Sequence, residues 1–289
     1  SKEVYQEYIT NLRKINSTNW NLYVNQSKNA TDGLNDGTYT YQAFAMDNEG
    51  NQNSTEQRTI TIDNLNQISS CTNITSPGKY VLTRNISTNG SCIRVKANNV
   101  TIDCKEYSLR GNGTLELISK GILVDSYNRT TIQNCTIINF KDGIDLQHTV
   151  DTTVVDNRLL NLSYDAFSSD FSSELLFSRN LINESGRFPF TIHSGAGNNQ
   201  ILNNTISYSE YNGIDLSGSP NTNNLVANNT LLNNARTGIN IGTNNNTIQN
   251  NTVKGHKTGT FDIYFMHDLS WEKIGSLGFM KYEAKQVPL

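Results

Sequence analysis

The side chains with most chemistry to offer are carboxylates: Asp142, Asp145, Asp165 and Asp170 lie close together in the chain, with Arg187 a short way beyond. Crowded carboxylates either share a divalent cation, calcium being the natural choice, or raise one another's pKa. A lyase would use that calcium with a Lys or Arg base, a part Arg187 could play, and a glycoside hydrolase would use two carboxylates at fixed separation. Asp142, Asp165 and Arg187 are therefore the candidate catalytic residues, and Asp142, Asp145, Asp165 and Asp170 the candidate calcium ligands. Asp is also common on exposed turns, so a solvated surface explains the same residues. Histidine adds little, since His148, His193, His256 and His267 share no metal-ligand spacing and no Ser-His-Asp order can be traced. Cys71, Cys92, Cys104 and Cys135 form an even set with no Cys-x-x-Cys, which favours disulfides in an oxidising compartment over a zinc site.

The frame that must hold these residues is an imperfect repeat, running from about Cys71 to Ile263 with a period of roughly 21 to 25 residues. One block reads Gly-apolar-x-apolar: Gly121-Ile122-Leu123-Val124, Gly143-Ile144-Asp145-Leu146, Gly213-Ile214-Asp215-Leu216 and Gly238-Ile239-Asn240-Ile241, with looser versions at Phe167 and Phe190. The other reads apolar-x-Asn-x-x-apolar: Ile132-Asn134-Ile137, Val155-Asn157-Leu160, Leu176-Ser178-Leu181, Ile201-Asn203-Ile206, Val226-Asn228-Leu231 and Ile248-Asn250-Val253. Each block is too short and too β-branched for a helix, so each is a strand with alternate residues on one face. One turn of such strands cannot bury its inner face. Coils must therefore stack at about 4.8 Å, as parallel sheets around an aliphatic interior. Parallel crossovers are right-handed. The fold expected is all-β: a right-handed parallel β-helix of about seven coils. The aligned Asn residues would occupy bends, where Asn accepts a left-handed conformation and its amide can bond the next coil.

On such a scaffold, equivalent outward residues form columns. One column holds Lys141, Tyr164, Arg187, Tyr211, Arg236 and Lys257; the next begins with Asp142 and Asp165; a third contains Asp145 and Asp215. Cations interleaved with tyrosines beside carboxylates suit a groove for glycan, with rings against sugar faces and Arg on carboxylates. Tyr164, Arg187, Tyr211, Arg236, Asp145 and Asp215 are the candidate ligand-binding residues. Ordinary cross-strand pairs on a solvated sheet face are the alternative.

The chain has 289 residues, 35% of them hydrophobic, and a formal net charge of −3 from interspersed signs. Nothing in that balance supports a grip on nucleic acid. No stretch is long and apolar enough to span a membrane, and the N-terminus reads Ser1-Lys2-Glu3-Val4, as in a piece of a larger parent chain. About 17 of about 43 asparagines open an Asn-x-Ser/Thr sequon, against about 8 expected by chance. Asn16, Asn73, Asn85, Asn128, Asn161 and Asn183 are candidate glycosylation sites on a secreted or cell-surface chain. The Asn-Asn-Thr sequons at Asn203, Asn228 and Asn250 belong equally well to the repeat.

Residues 1–63 follow a different pattern, with strand-like Gly37–Ala45, turn residues Asp47–Asn51 and a second strand at Thr59–Ile62. Residues 36–63 resemble the last strands of immunoglobulin-like surface modules of bacteria and archaea. The expectation is a partial immunoglobulin-like β-sandwich over 1–63, a linker and entry to the β-helix over 64–78, the β-helix over 79–265 and a terminal cap over 266–289. That cap should carry a short helix or irregular turn laying Trp271 on the last coil. A bridge between Cys71 and Cys92 is expected. Cys104 and Cys135, aligned to within one residue on successive coils, form either a second bridge or stacked thiols.

The repeat blocks, with Cys71–Leu82 and Asn99–Cys104, resemble the parallel β-helix repeat family of pectin- and alginate-processing enzymes, periplasmic NosD-like proteins and archaeal surface proteins. That resemblance implies the fold, and leaves activity open between lyases, hydrolases, epimerases and non-catalytic adhesins. Epimerases of the family carry an Asp-Pro-His type motif, and no Asp-Pro pair occurs here. Two readings follow. The first is a non-catalytic surface glycoprotein, an adhesin or envelope component binding polysaccharide or cell-surface glycan. The second is a calcium-assisted lyase or a glycoside hydrolase acting on acidic polysaccharide.

Overall fold

In the computed structural model, the described residues are 65–255 except 114–118, 194–196, 219–221 and 242–244, most of 37–62, and the short strands 12–14, 20–22, 264–267, 270–273 and 283–284. The chain divides into two units, Ser1–Asn64 and Leu65–Leu289.

The second unit is a right-handed parallel β-helix of three sheets, two of eight strands and one of ten. One coil shows the plan. Asp142–Gln147 lies in the first sheet, Thr153–Val155 in the second and Arg158–Leu162 in the third, before the chain returns to the first sheet at Phe167–Asp170. From Ile122 onward, partners in successive coils are 22 to 25 residues apart, whereas the coil before it is longer, Ile93 pairing with Ile122 and Val100 with Thr130. The Gly-apolar block stacks as its spacing predicts: Ile122, Ile144, Phe167, Phe190, Ile214 and Ile239 pair in order and are fully buried. The preceding glycines are needed where coils approach. A Cβ on Gly143 would collide with the carbonyl of Ala166. Phe167, Phe177 and Phe190 fill the middle coils with ring centroids 4.6 to 4.8 Å apart, and each such buried side chain contributes about 1.5 to 3 kcal/mol.

The Asn block differs from its expected register in two coils. Ile132 pairs with Val154, Val154 with Phe177 and Phe177 with Ile201, so Val154 and Phe177 are the inward residues, one position away from the Val155 and Leu176 expected. The Asn role is also divided between two neighbours. Asn134, Asp156, Arg179, Asn203, Asn228 and Asn250 take φ between 54° and 58°. The residues after them turn inward. There Asn157, Asn180, Asn204, Asn229 and Asn251 form a buried ladder, each side-chain oxygen accepting the backbone N–H of the preceding coil at 2.8 to 3.0 Å. Their amide nitrogens donate to carbonyls of Ile132, Val154, Phe177, Ile201 and Val226.

Two disulfides fasten the first coils: Cys71–Cys92 with Cα atoms 4.4 Å apart, and Cys104–Cys135 with Cα atoms 4.7 Å apart. The first is the expected bridge, and the second resolves the open alternative in favour of a bond. In the stretch expected to hold the linker and the entry to the β-helix, Leu65–Ile68 pairs with Gly78–Leu82 and Thr72–Ile74 with Ile93–Val95.

In the first unit, Gly37–Tyr41 runs antiparallel to Arg58–Ile62 and Phe44–Met46 to Gln52–Ser54, while Leu12–Lys14 pairs with Trp20–Leu22. These are three two-stranded ladders, and the earlier strands of the expected sandwich lie largely outside the described residues. At the C-terminal side, Tyr264–His267 pairs with Ser270–Lys273, and Glu283–Ala284 runs antiparallel to Ile248–Gln249. The side chain of Trp271, on which the expected cap depended, lies outside the described residues, as do Asn16 and Lys257.

Candidate functional site

The first sheet and the bend leading into it from the third sheet carry the candidate residues. Backbone bonds from Tyr164 to Lys141, Arg187 to Tyr164 and Arg236 to Tyr211 hold one outward column in register. Its rings, however, are used within the column. The Arg187 guanidinium lies 3.8 Å from the Tyr164 ring centre, with Lys141 5.2 Å from that same ring, and Arg236 lies 3.8 Å from the ring of Tyr211. Phe188 meets Tyr211 edge-on at 5.2 Å. Tyr164, Arg187 and Tyr211 are half-buried and Arg236 is exposed.

The carboxylates are placed differently from the expectation of an open acidic cluster. Asp145, Asp165 and Asp215 are buried. Arg187 grips Asp165 through both carboxylate oxygens, Nε donating to Oδ1 at 2.8 Å. Lys120 pairs with Asp145, whose oxygens also accept from Gln147 Nε2 at 2.9 Å and Ser168 Oγ at 3.0 Å. Asp215 accepts from Asn212, Asn240 and the amide of Ser217. Asp170 stands at the other end of its strand, level with Gln147. Among the described residues no three His, Cys, Asp or Glu side chains gather as metal ligands. Lys120 and Arg187 thus take up Asp145 and Asp165, two of the four aspartates that their spacing made candidate ligands.

Asp142 is the exception. It sits level with Lys120 and next to the Asp165 coil, half-buried, and accepts only a long 3.4 Å bond from the Asp165 amide. Burial pushes its pKa up to about 6, with the charges of Asp165 and Asp145 adding to the rise and the Asp165 amide and Lys120 opposing it. Arg187 is held above its ordinary range by its bond to Asp165.

Lys120 was not among the sequence candidates. It occupies the position two before Ile122, as Asp142 does before Ile144 and Asp165 before Phe167, so carrying the aspartate column one coil back would have found it. Also missed is a shallow groove of about 630 Å³ at the bend between the third and first sheets, bordered by Tyr164, Glu184, Gly186, Tyr208 and Glu210.

The sequon positions divide. Asn73 is exposed. Asn85 and Asn128 accept coil-to-coil bonds from Ser108 and Val150, Asn161 donates to Asn139, and Asn183 accepts from Ser207. Asn99, Asn134, Asn203, Asn228, Asn245 and Asn250 all take positive φ, each followed by a buried or half-buried residue and then by Thr in a strand. The Asn-x-Thr pattern at these bends thus also serves the fold, although Asp156 and Arg179 take the same conformation in two coils without it.

The sequence matches the family described as "Right handed beta helix region" over residues 49–206 and again over 120–266. A comparison with curated proteins finds no match. Among solved structures, an alginate lyase from Paenibacillus is similar at a TM-score of 0.50 and 12% identity, over 69% of this chain and 83% of that one. The Dettilon tailspike protein is similar at 0.46 and 14%, over 65% and 47%, and the periplasmic alginate epimerase AlgG at 0.44 and 13%, over 66% and 63%. The chain spans about half the length of that tailspike. The likeness to the lyase shows the fold.

Proposed function

We propose, for a chain that belongs to the right-handed β-helix region family, that it is a non-catalytic secreted or cell-surface protein whose outer face at the third-to-first-sheet bend binds polysaccharide or cell-surface glycan. The observation that carries this is the pairing of the buried carboxylates. Asp145 and Asp165 are spent on Lys120 and Arg187, an open groove lies at the same bend, and among the described residues no three acidic or metal-ligating side chains gather. Two disulfides support an oxidising compartment. No helix among the described residues is long and apolar enough to cross a membrane. An alginate lyase of the same fold acts, by its name, on a polysaccharide, in keeping with a glycan partner here. A glycan array run with and without calcium tests the reading. Binding should be insensitive to calcium and should release no shortened product. Calcium-dependent cleavage would overturn it.

Asp142 favours one alternative. A carboxyl that titrates near 6 can donate or accept a proton close to neutrality, as a lyase or glycoside hydrolase acting on acidic polysaccharide requires. If this holds, Asp142→Asn abolishes release of reducing ends from a susceptible polysaccharide and leaves binding in place.

A further inference from the structure

We propose that the groove at the bend between the third and first sheets is a site for a neutral oligosaccharide. The inference rests on the glycan-binding reading above and narrows it to one place and one ligand class.

The argument begins with backbone conformation. Asn139, Asn161, Glu184, Tyr208, Asn233 and Gly255 are equivalent positions in successive coils, and every one has a φ between 49° and 73°. Asn and Gly are the residues that accept this conformation most easily. Glu184 and Tyr208 are the two that do not, they are adjacent in the column, and both border the groove. The bend imposes this conformation in every coil, and at these two coils it is met by side chains that it disfavours. Tyr208 is also 57% exposed, far more than a packing role needs.

The floor is shaped to stay open. A Cβ on Gly186 would run into the Ser163 carbonyl, so no side chain rises between the walls. Tyr208 offers an aromatic face, and Glu184 and Glu210 offer acceptors suited to pairs of sugar hydroxyls. The charge then selects the ligand. Arg187, which follows the groove residue Gly186 in the chain, is committed to Asp165 and to the Tyr164 ring, and Lys141 also lies against that ring. The groove thus presents two carboxylates, which repel a uronate polymer and accept bonds from uncharged sugars.

The test is calorimetric titration of the whole chain with neutral hexasaccharides of glucose, mannose and xylose, and with oligouronates of equal length, at low ionic strength. A neutral ligand should bind at least tenfold more tightly than any uronate. Tyr208→Asn and Glu184→Asn should each weaken that binding roughly tenfold, while the thermal midpoint stays level or rises, because Asn suits the backbone there. Uronates binding as tightly as neutral sugars, or Tyr208→Asn with undiminished affinity, would overturn the assignment and leave the wider glycan reading standing. Binding of neither class would remove both.

Discussion

At the scale of single residues, Asp142 and Asp165 show how one acidic column acquires two characters. Asp165 is ion-paired with Arg187, whereas Asp142 is half-buried with no ion pair among the described residues. A folded pKa near 6 against an ordinary 3.8 means that the folded chain holds this proton more tightly than the unfolded chain. The resulting stability is complete below pH 3.8 and is lost as pH rises through about 6. Asp103 behaves oppositely: burial raises its pKa, but bonds from Lys105, Asn134 and Gln133 outweigh that and bring it to about 2, so its contribution disappears only as pH falls through about 2. Asp142→Asn should therefore stabilise the protein relative to wild type at higher pH, by up to about 2 kcal/mol after allowance for solvent screening. Urea unfolding at pH values on either side of the transition measures it; parallel curves for the two proteins would refute the assignment. Arg187→Ala leaves Asp165 buried and unpaired, and should destabilise by about 2 to 3 kcal/mol. Most of that loss should return in the double variant Asp165→Asn, Arg187→Met. A binding assay on Arg187→Ala alone would thus confuse lost contact with lost stability.

At the scale of elements, the Asn-Asn-Thr motif gives its two asparagines unlike energies. Asn204 is buried, accepts from the Asn180 amide and side chain, and donates to Phe177 and Asn229. Asn203 is exposed and serves the bend by conformation. Asn204→Ala should destabilise by about 2 to 4 kcal/mol because several buried partners lose their bonds together. Asn203→Gly should change stability by less than about 0.5 kcal/mol. Equal shifts in the denaturation midpoint would show that the inner ladder is not what holds the coils in register. The contrast also explains which parts of the fold could be read from sequence. The Gly-apolar block alternates two inward residues with an outward one, as in Ile239-Asn240-Ile241, and its register follows without ambiguity. The Asn block offers apolar doublets, Val154-Val155 and Leu159-Leu160, either member of which satisfies the spacing, so a slip of one residue cost nothing in pattern. The ion pairs were hidden for another reason: the path of a long side chain such as Lys120, level with Asp142 but paired with Asp145, depends on three-dimensional placement. The groove, formed where successive bends meet, leaves no contiguous motif.

At the scale of the whole β-helix, each coil is stabilised by its neighbours, and the two ends have a neighbour on one side only. At the N-terminal end the Cys71–Cys92 and Cys104–Cys135 bridges lie in the first coils, and Leu65–Ile68 adds a strand to the second sheet. At the other end the second sheet closes differently. Its last parallel strand, Thr247–Gln249, is met by Glu283–Ala284 running antiparallel, so residues far along the chain return to pair with an edge that would otherwise offer free N–H and C=O groups. Unpaired parallel edges invite association between chains. Ile248 and Val253 are the last inward residues of their ladders, and they are 3% and 8% exposed against full burial in earlier coils, so the interior is thinnest here. A chain shortened to end at Asp268 retains all three final parallel strands and loses the covering strand. It should unfold at lower denaturant concentration in the final coils first, visible as early loss of amide protection around residues 239 to 254, and it should associate at concentrations where the intact chain stays monodisperse by light scattering. Unchanged amide protection together with unchanged scattering would mean that the returning strand does not seal the end of the stack.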